Sequence, residues 1–171
     1  GFSLQCQTPS LGYLGGGVKA PSDVHIDNIQ SFATVAPHVG VDISEMAAAM
    51  QSSSCSESPT HGYSGGSGHS PATDNIYRYQ KATTDNGADV GELAVSSAKY
   101  AGGATDGRGG KGFHISGQNT GGTEVDVIQS FPFASPTGGS DVGEYTVSGG
   151  PAGRLMNGHQ ISSTTHFFAP D

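Results

Sequence analysis

The chain has 171 residues, of which 28 are Gly, 22 Ser and 13 Thr, and only 13 % are charged. With 7 Lys and Arg against 15 Asp and Glu, the net charge is −8. This excludes nucleic-acid binding, which needs clustered cations, and long helices, which so much Gly, Ser and Thr would penalise at nearly every turn. No run approaches the roughly 18 apolar residues of a membrane span. An apolar share of 33 %, with few charges, is also unlike a disordered chain. A turn-rich, strand-rich protein remains.

In chain order, the first element opens on Gly1 rather than Met and shows no signal-peptide pattern, which reads as a processed product or a piece of a longer chain. Leu11-Gly12-Tyr13-Leu14-Gly15-Gly16 follows, then Ile29-Gln30-Ser31-Phe32, then Asp42-Ile43-Ser44-Glu45. Residues 44–51 are the best helix-forming stretch, but the repeat register described next predicts strand there.

The same three elements return. His61-Gly62-Tyr63-Ser64-Gly65-Gly66 leads to Ile76-Tyr77-Arg78-Tyr79 and Asp89-Val90-Gly91-Glu92. Lys111-Gly112-Phe113-His114-Ile115-Ser116-Gly117 leads to Ile128-Gln129-Ser130-Phe131 and Asp141-Val142-Gly143-Glu144. A last partial copy is His166-Phe167-Phe168. Gly12, Gly62 and Gly112 are spaced by 50 residues, and the Ile-to-Ile steps are 47 and 52. In every copy the aromatic lies 3 residues after Ile, the Asp 13 after and the Glu 16 after.

Self-similarity at this period is the signature of a repeat architecture. The β-branched and aromatic runs lie between Gly, Pro, Asn and Asp clusters, so they read as short strands. Leu93-Ala94-Val95 and Tyr145-Thr146-Val147 read as strand as well. Room for about four short strands per repeat matches a propeller blade. The reading is one all-β repeat domain over 1–171, with repeats at 10–59, 60–109 and 110–168. Its blades are of β-propeller type, forming a partial ring or one completed by oligomerisation. Gly doublets suit crowded packing where a Cβ would clash. Ile29, Phe32, Ile76, Tyr79, Ile128 and Phe131 should form the core with Tyr13, Tyr63, Phe113 and Phe167.

No residues are predicted to be catalytic, cofactor-binding or metal-binding. Gly62-Tyr63-Ser64-Gly65-Gly66 matches a nucleophile elbow, but Ser67-Gly68-His69-Ser70-Pro71 cannot supply the helix that motif needs. Gly107-Arg108-Gly109-Gly110-Lys111-Gly112 matches a dinucleotide loop, again without its helix. The seven His are scattered, and His61, Lys111 and His166 share one repeat position. Asp42, Asp89 and Asp141, with Glu45, Glu92 and Glu144, could bind Ca²⁺. Recurrence in every copy favours a turn device instead. Cys6 and Cys55 occupy nearly equivalent places and are expected to be two unbridged thiols.

Gly-Tyr-Ser-Gly-Gly, Ile-x-x-Phe-Pro-Phe-Ala and Asp-Val-Gly-Glu resemble the kelch-like repeats of virion structural proteins in marine and cyanobacterial phages. Thr60 to Gly66 and Ile128 to Tyr145 match best. The resemblance implies a kelch-like β-propeller pattern and a structural or adhesion role in a tail fibre or similar appendage, hence a virion location. Partners would be other copies, other virion proteins or a host surface glycan, with no nucleic acid, membrane insertion or cofactor. Variable loops at 47–59, 98–110 and 149–164 would make the contacts. The alternative is a carbohydrate-binding, lectin-like propeller module. A galactose-oxidase-like enzyme needs clustered Tyr and His ligands for copper, and the sequence offers no such spacing.

Overall fold

The computed structural model describes residues 6–7, 11–19, 22, 24–36, 39–50, 54–67, 73–95, 100–106, 110–119, 121–144, 156–160 and 166–170. The described residues contain strands, turns and bends and no helix. β1 (Cys6–Gln7), β2 (Leu11–Lys19), β3 (Val24–Ala33) and β4 (Gly40–Glu45) form one sheet. β5 (Ser54–Glu57), β6 (His61–Ser67), β7 (Thr73–Gln80) and β8 (Ala88–Glu92) form a second. β9 (Gly102–Thr105), β10 (Lys111–Gln118), β11 (Glu124–Pro132) and β12 (Ser140–Glu144) form a third. β13 (Met156–Gln160) and β14 (His166–Pro170) make a separate hairpin. Each four-stranded sheet is an antiparallel meander in sequence order.

The sequence repeat is a repeat of register. Gly12, Gly62 and Gly112 stand opposite Phe32, Tyr79 and Phe131. A Cβ on any of the three glycines would run into that opposite ring. The 50-residue glycine phase therefore leaves room for an aromatic to lie across the neighbouring strand. A bulge follows Gly15, Gly65 and Ile115, and another follows Ile29, Ile76 and Ile128. Gly16 and Gly66 both take φ of 67° at the first bulge and Gly117 takes 115°, where an L side chain would be strained. The second glycine of the doublet thus serves conformation, while Gly65 sits against Ser54 and His114.

Two cores lie between successive sheets. Tyr13 and Ile29 of the first sheet, with Met46 and Met50 just after its last strand, pack on Tyr77 and Tyr79 of the second. Tyr63, Ile76 and Leu93 of the second pack on Phe131 and Phe133 of the third. The expected core residues Tyr13, Ile29, Tyr63, Ile76, Tyr79 and Phe131 are buried there. Phe32, Phe113 and Ile128 are only half-buried, because they belong to the outer faces of the first and third sheets. The side chain of Phe167 lies outside those described.

Several local expectations need correction. Residues 46–50 are neither helix nor strand. They bend back along β3, where the Met46 and Met50 amides donate to Asp27 and Ile26 carbonyls. Leu93 makes the matching bond to Asp74, so Leu93-Ala94-Val95 is a bend and not a strand. The Asp-Val-Gly-Glu segments themselves form the fourth strands. Residues 145–147 lie outside the described residues. The segments 47–59, 98–110 and 149–164, read as contact loops, contain β5, β9 and β13. β5 and β9 are rich in small residues because they pack backbone to backbone: a Cβ on Gly103 would collide with the Cys55 main chain.

Candidate functional site

Four devices join one sheet to the next, and each is seen at both boundaries or has its counterpart there. Tyr13 donates from its hydroxyl to the Lys81 carbonyl at 2.9 Å, and Tyr63 donates to the Phe133 carbonyl at 3.3 Å. Tyr13 lies 6.0 Å from Tyr79, and Tyr63 5.8 Å from Phe131, ring centre to ring centre. Gly87 donates its amide to the Glu45 carbonyl at 2.6 Å, and Gly139 donates to that of Glu92 at 2.7 Å. Finally, fully buried Gln129 accepts from the Val95 amide at 2.7 Å and donates to the Val95 carbonyl at 2.8 Å. Tyr77 holds the position of Gln129 in the second sheet, and packs into the first core.

The recurrent acids are used by the fold. Asp42 and Asp89 accept hydrogen bonds from the side chains of Asn28 and Asn75. Asp89 and Asp141 also accept from the amides of Gly91 and Gly143, two residues on, an Asx turn that holds the strand end. Among the described residues no group of three or more His, Cys, Asp and Glu is arranged to hold a metal.

The residues of the two motif matches also serve the strands. Ser64 is buried within β6 and donates to the Ser54 carbonyl at 3.1 Å. Gly110 donates to the Asp106 carboxylate at 2.7 Å as the chain enters β10; residues 107–109 lie outside the described residues. Cys6 stands opposite Tyr13, whereas Cys55 stands opposite Ser64 and Ser56 opposite Tyr63. Cys6 therefore matches Ser56, one register step from Cys55, and a step of one changes the face. The expectation of two thiols falls on Cys6, whose side chain lies outside those described.

What does not recur is a charged cluster at one end of the second sheet. Lys81 Nζ, with its side chain 5 % exposed, lies 2.7 Å from Glu57 Oε2. His61 sits beside them, its Nδ1 2.8 Å from Thr60 Oγ1. Burial first, then the nearby Arg78 and Lys81 charges, lower the His61 pKa below its ordinary value. The corresponding residues elsewhere are Thr34 and Phe133 for Lys81, and Gln7 and Thr105 for Glu57. Lys81 also borders a cleft of about 430 Å³ between the first two sheets, with Tyr13, Ser31, Thr83 and Thr84 on its wall. The sequence reading missed this pair. Its one signal was that both residues break the repeat.

Tyr63 and Tyr77 have raised pKa values, burial being the main cause, so both phenols stay neutral. His114 is fully buried, with Nδ1 2.7 Å from Ser54 Oγ. This contact ties β10 to β5 in the interior.

No protein-family profile matches the chain, and no curated protein matches it. Among solved structures, that of YjhT is similar over 96 % of this chain, with a TM-score of 0.72 and 13 % identity. This chain spans 57 % of the length of that one. At this identity the likeness is one of fold.

Proposed function

We propose that this chain is a structural and adhesion module whose sheets are successive blades of a β-propeller-type stack. The observation that carries this reading is the engagement of the repeated polar residues: the Tyr hydroxyls, Asp carboxylates and Gln129 amide all hold strands or sheets together. The period of about 50 residues, the four-stranded meanders and the fold likeness over nearly the whole chain support the blade assignment. The kelch-like sequence resemblance is what supports a phage virion, a tail fibre or similar appendage, as its setting. Antibodies against the chain should label purified phage particles, and peptides from it should be found in the particle proteome. Absence from particles of a phage that encodes the chain would overturn the virion setting.

A carbohydrate-binding role is the second reading. The cleft between the first two sheets favours it, since hydroxyls of Ser31, Thr83 and Thr84 suit a polyhydroxylated ligand, and its volume of about 430 Å³ is in the range of small-molecule sites. Glycan-array binding that is lost in Ser31→Val and Thr83→Val would support it. Binding unchanged by both variants, or no binding, would remove it.

A further inference from the structure

The outer face of the first sheet has the equipment of a sheet boundary. Gln30 and Phe32 lie in Ile29-Gln30-Ser31-Phe32, identical to Ile128-Gln129-Ser130-Phe131 and held in the same register. In the third sheet Gln129 grips the Val95 main chain and Phe131 packs on Tyr63. In the first sheet Gln30 and Phe32 are half-buried, and Val39 and Val35 beside them are 64 % and 71 % exposed.

A glycine gives the second observation. Gly40, Gly87 and Gly139 share one position. A Cβ on Gly139 would press on Leu93 and Ala94 of the preceding sheet, and one on Gly87 on Glu45 and Met46. These glycines keep room for the end of a neighbouring fourth strand. At Gly40 the same room is bordered only by the amide of Gln30 among the described residues.

We propose that this face, formed by β3 and β4, docks the end of a fourth strand from a further repeat of the same type. The segment it fits is a strand that runs into a bend, Asp-Val-Gly-Glu-aliphatic-x-Val, as within Ala88–Val95. Gln30 grips the valine main chain with both ends of its amide. The Gly40 amide donates to the glutamate carbonyl, as Gly87 and Gly139 do. Phe32 packs on the aromatic of that repeat's second strand. A second copy of this chain carries a related segment at Asp141–Val147, with Tyr145 in the aliphatic place, but the place beside its third sheet is held by β13, which packs along β9. The occupant is therefore a repeat additional to those of this chain. This docking rests on the stack of sheets and is independent of a virion setting.

The test is titration of the isotope-labelled 171-residue chain with a capped octapeptide of sequence Ala88–Val95, followed by NMR. Saturable shifts are expected at the Gly40 amide and the Gln30 side-chain amide. N-methylation of the peptide's valine nitrogen, or Gln30→Met in the chain, should weaken binding about tenfold, as expected for roughly two hydrogen bonds. Gln30→Met keeps the side chain's length, and its thermal midpoint reports whether folding is intact. Three outcomes would overturn the proposal: no saturable shift at millimolar peptide, equal affinity for the N-methylated peptide, or shifts at Gln129 in place of Gln30. So would concentration-dependent dimerisation lost in Phe32→Ala, since the occupant would then be a second copy.

Discussion

Tyr63 and Phe131 come from different sheets, stand 5.8 Å apart and tilt by 54°, and one repeat earlier Tyr13 and Tyr79 stand 6.0 Å apart at 50°. The aromatic that crosses the glycine of its own sheet thus meets the tyrosine of the sheet before.

This relationship sets the cost of losing the ring. Phe131→Ala should destabilise the chain by about 3–5 kcal/mol, as for a buried Phe. Phe32→Ala, at the equivalent but half-buried position, should cost roughly 1–2 kcal/mol. Urea denaturation of the two variants checks the ordering. Equal losses would contradict the assignment of Phe32 to an open face.

The glycine opposite the ring gives a second prediction. Gly62→Ala puts a Cβ into the Tyr79 ring and should cost roughly 1–3 kcal/mol by overpacking. Combined with Tyr79→Ala, the same change should cost less than the sum of the two single losses, because the clash is gone. A double-mutant cycle reads the coupling, expected at about 1 kcal/mol or more.

The Lys81–Glu57 pair should behave as a buried ion pair. Glu57→Ala leaves the Lys81 ammonium without its carboxylate, and a loss of about 3 kcal/mol follows. Glu57 is 30 % exposed, which lets water offset part of the penalty. The double replacement Lys81→Met with Glu57→Leu should recover most of the loss. Thermal unfolding of the three variants at one pH makes the comparison.

His61 makes stability depend on pH. Its folded pKa is lowered, by burial and then by Arg78 and Lys81, so the unfolded chain binds the proton more readily. The contribution is fully present above the ordinary value of 6.5 and is lost as pH falls through the lower folded value. His61→Gln should flatten the stability profile below pH 6.5. Denaturation midpoints on both sides of that value measure it.

The second, third and fourth strands could be read from the sequence because each carries a marker required by geometry. Gly62 leaves space for Tyr79, Ile76 fills the core, and Asp89 closes a turn over Gly91. The first strands carry no such marker. Ser54-Cys55-Ser56-Glu57 and Gly102-Gly103-Ala104-Thr105 are small because their main chains touch, and small polar residues look like loop. Residues 44–51 misled differently: the repeat register carries a strand through them, yet β4 ends at Glu45 and the Met46 and Met50 amides donate to carbonyls of β3. The Glu57–Lys81 pair was invisible because it joins positions 24 residues apart on strands that are not neighbours. Only the sheet brings their ends together.

Each sheet is wound from one unbroken stretch of chain, and both boundaries share Tyr hydroxyl bonds, ring contacts and glycine amide bonds. A recombination event that joins Glu45 directly to Leu93 would delete 47 residues. It would bring Phe131 against Tyr13, where it now meets Tyr63. The contact is of the same kind, and the Tyr13 hydroxyl would find the Phe133 carbonyl in place of that of Lys81. Genes for such chains can therefore grow or shrink by whole repeats without new contacts having to evolve, and the Glu57–Lys81 cluster, present in one repeat only, is what that exchange would lose.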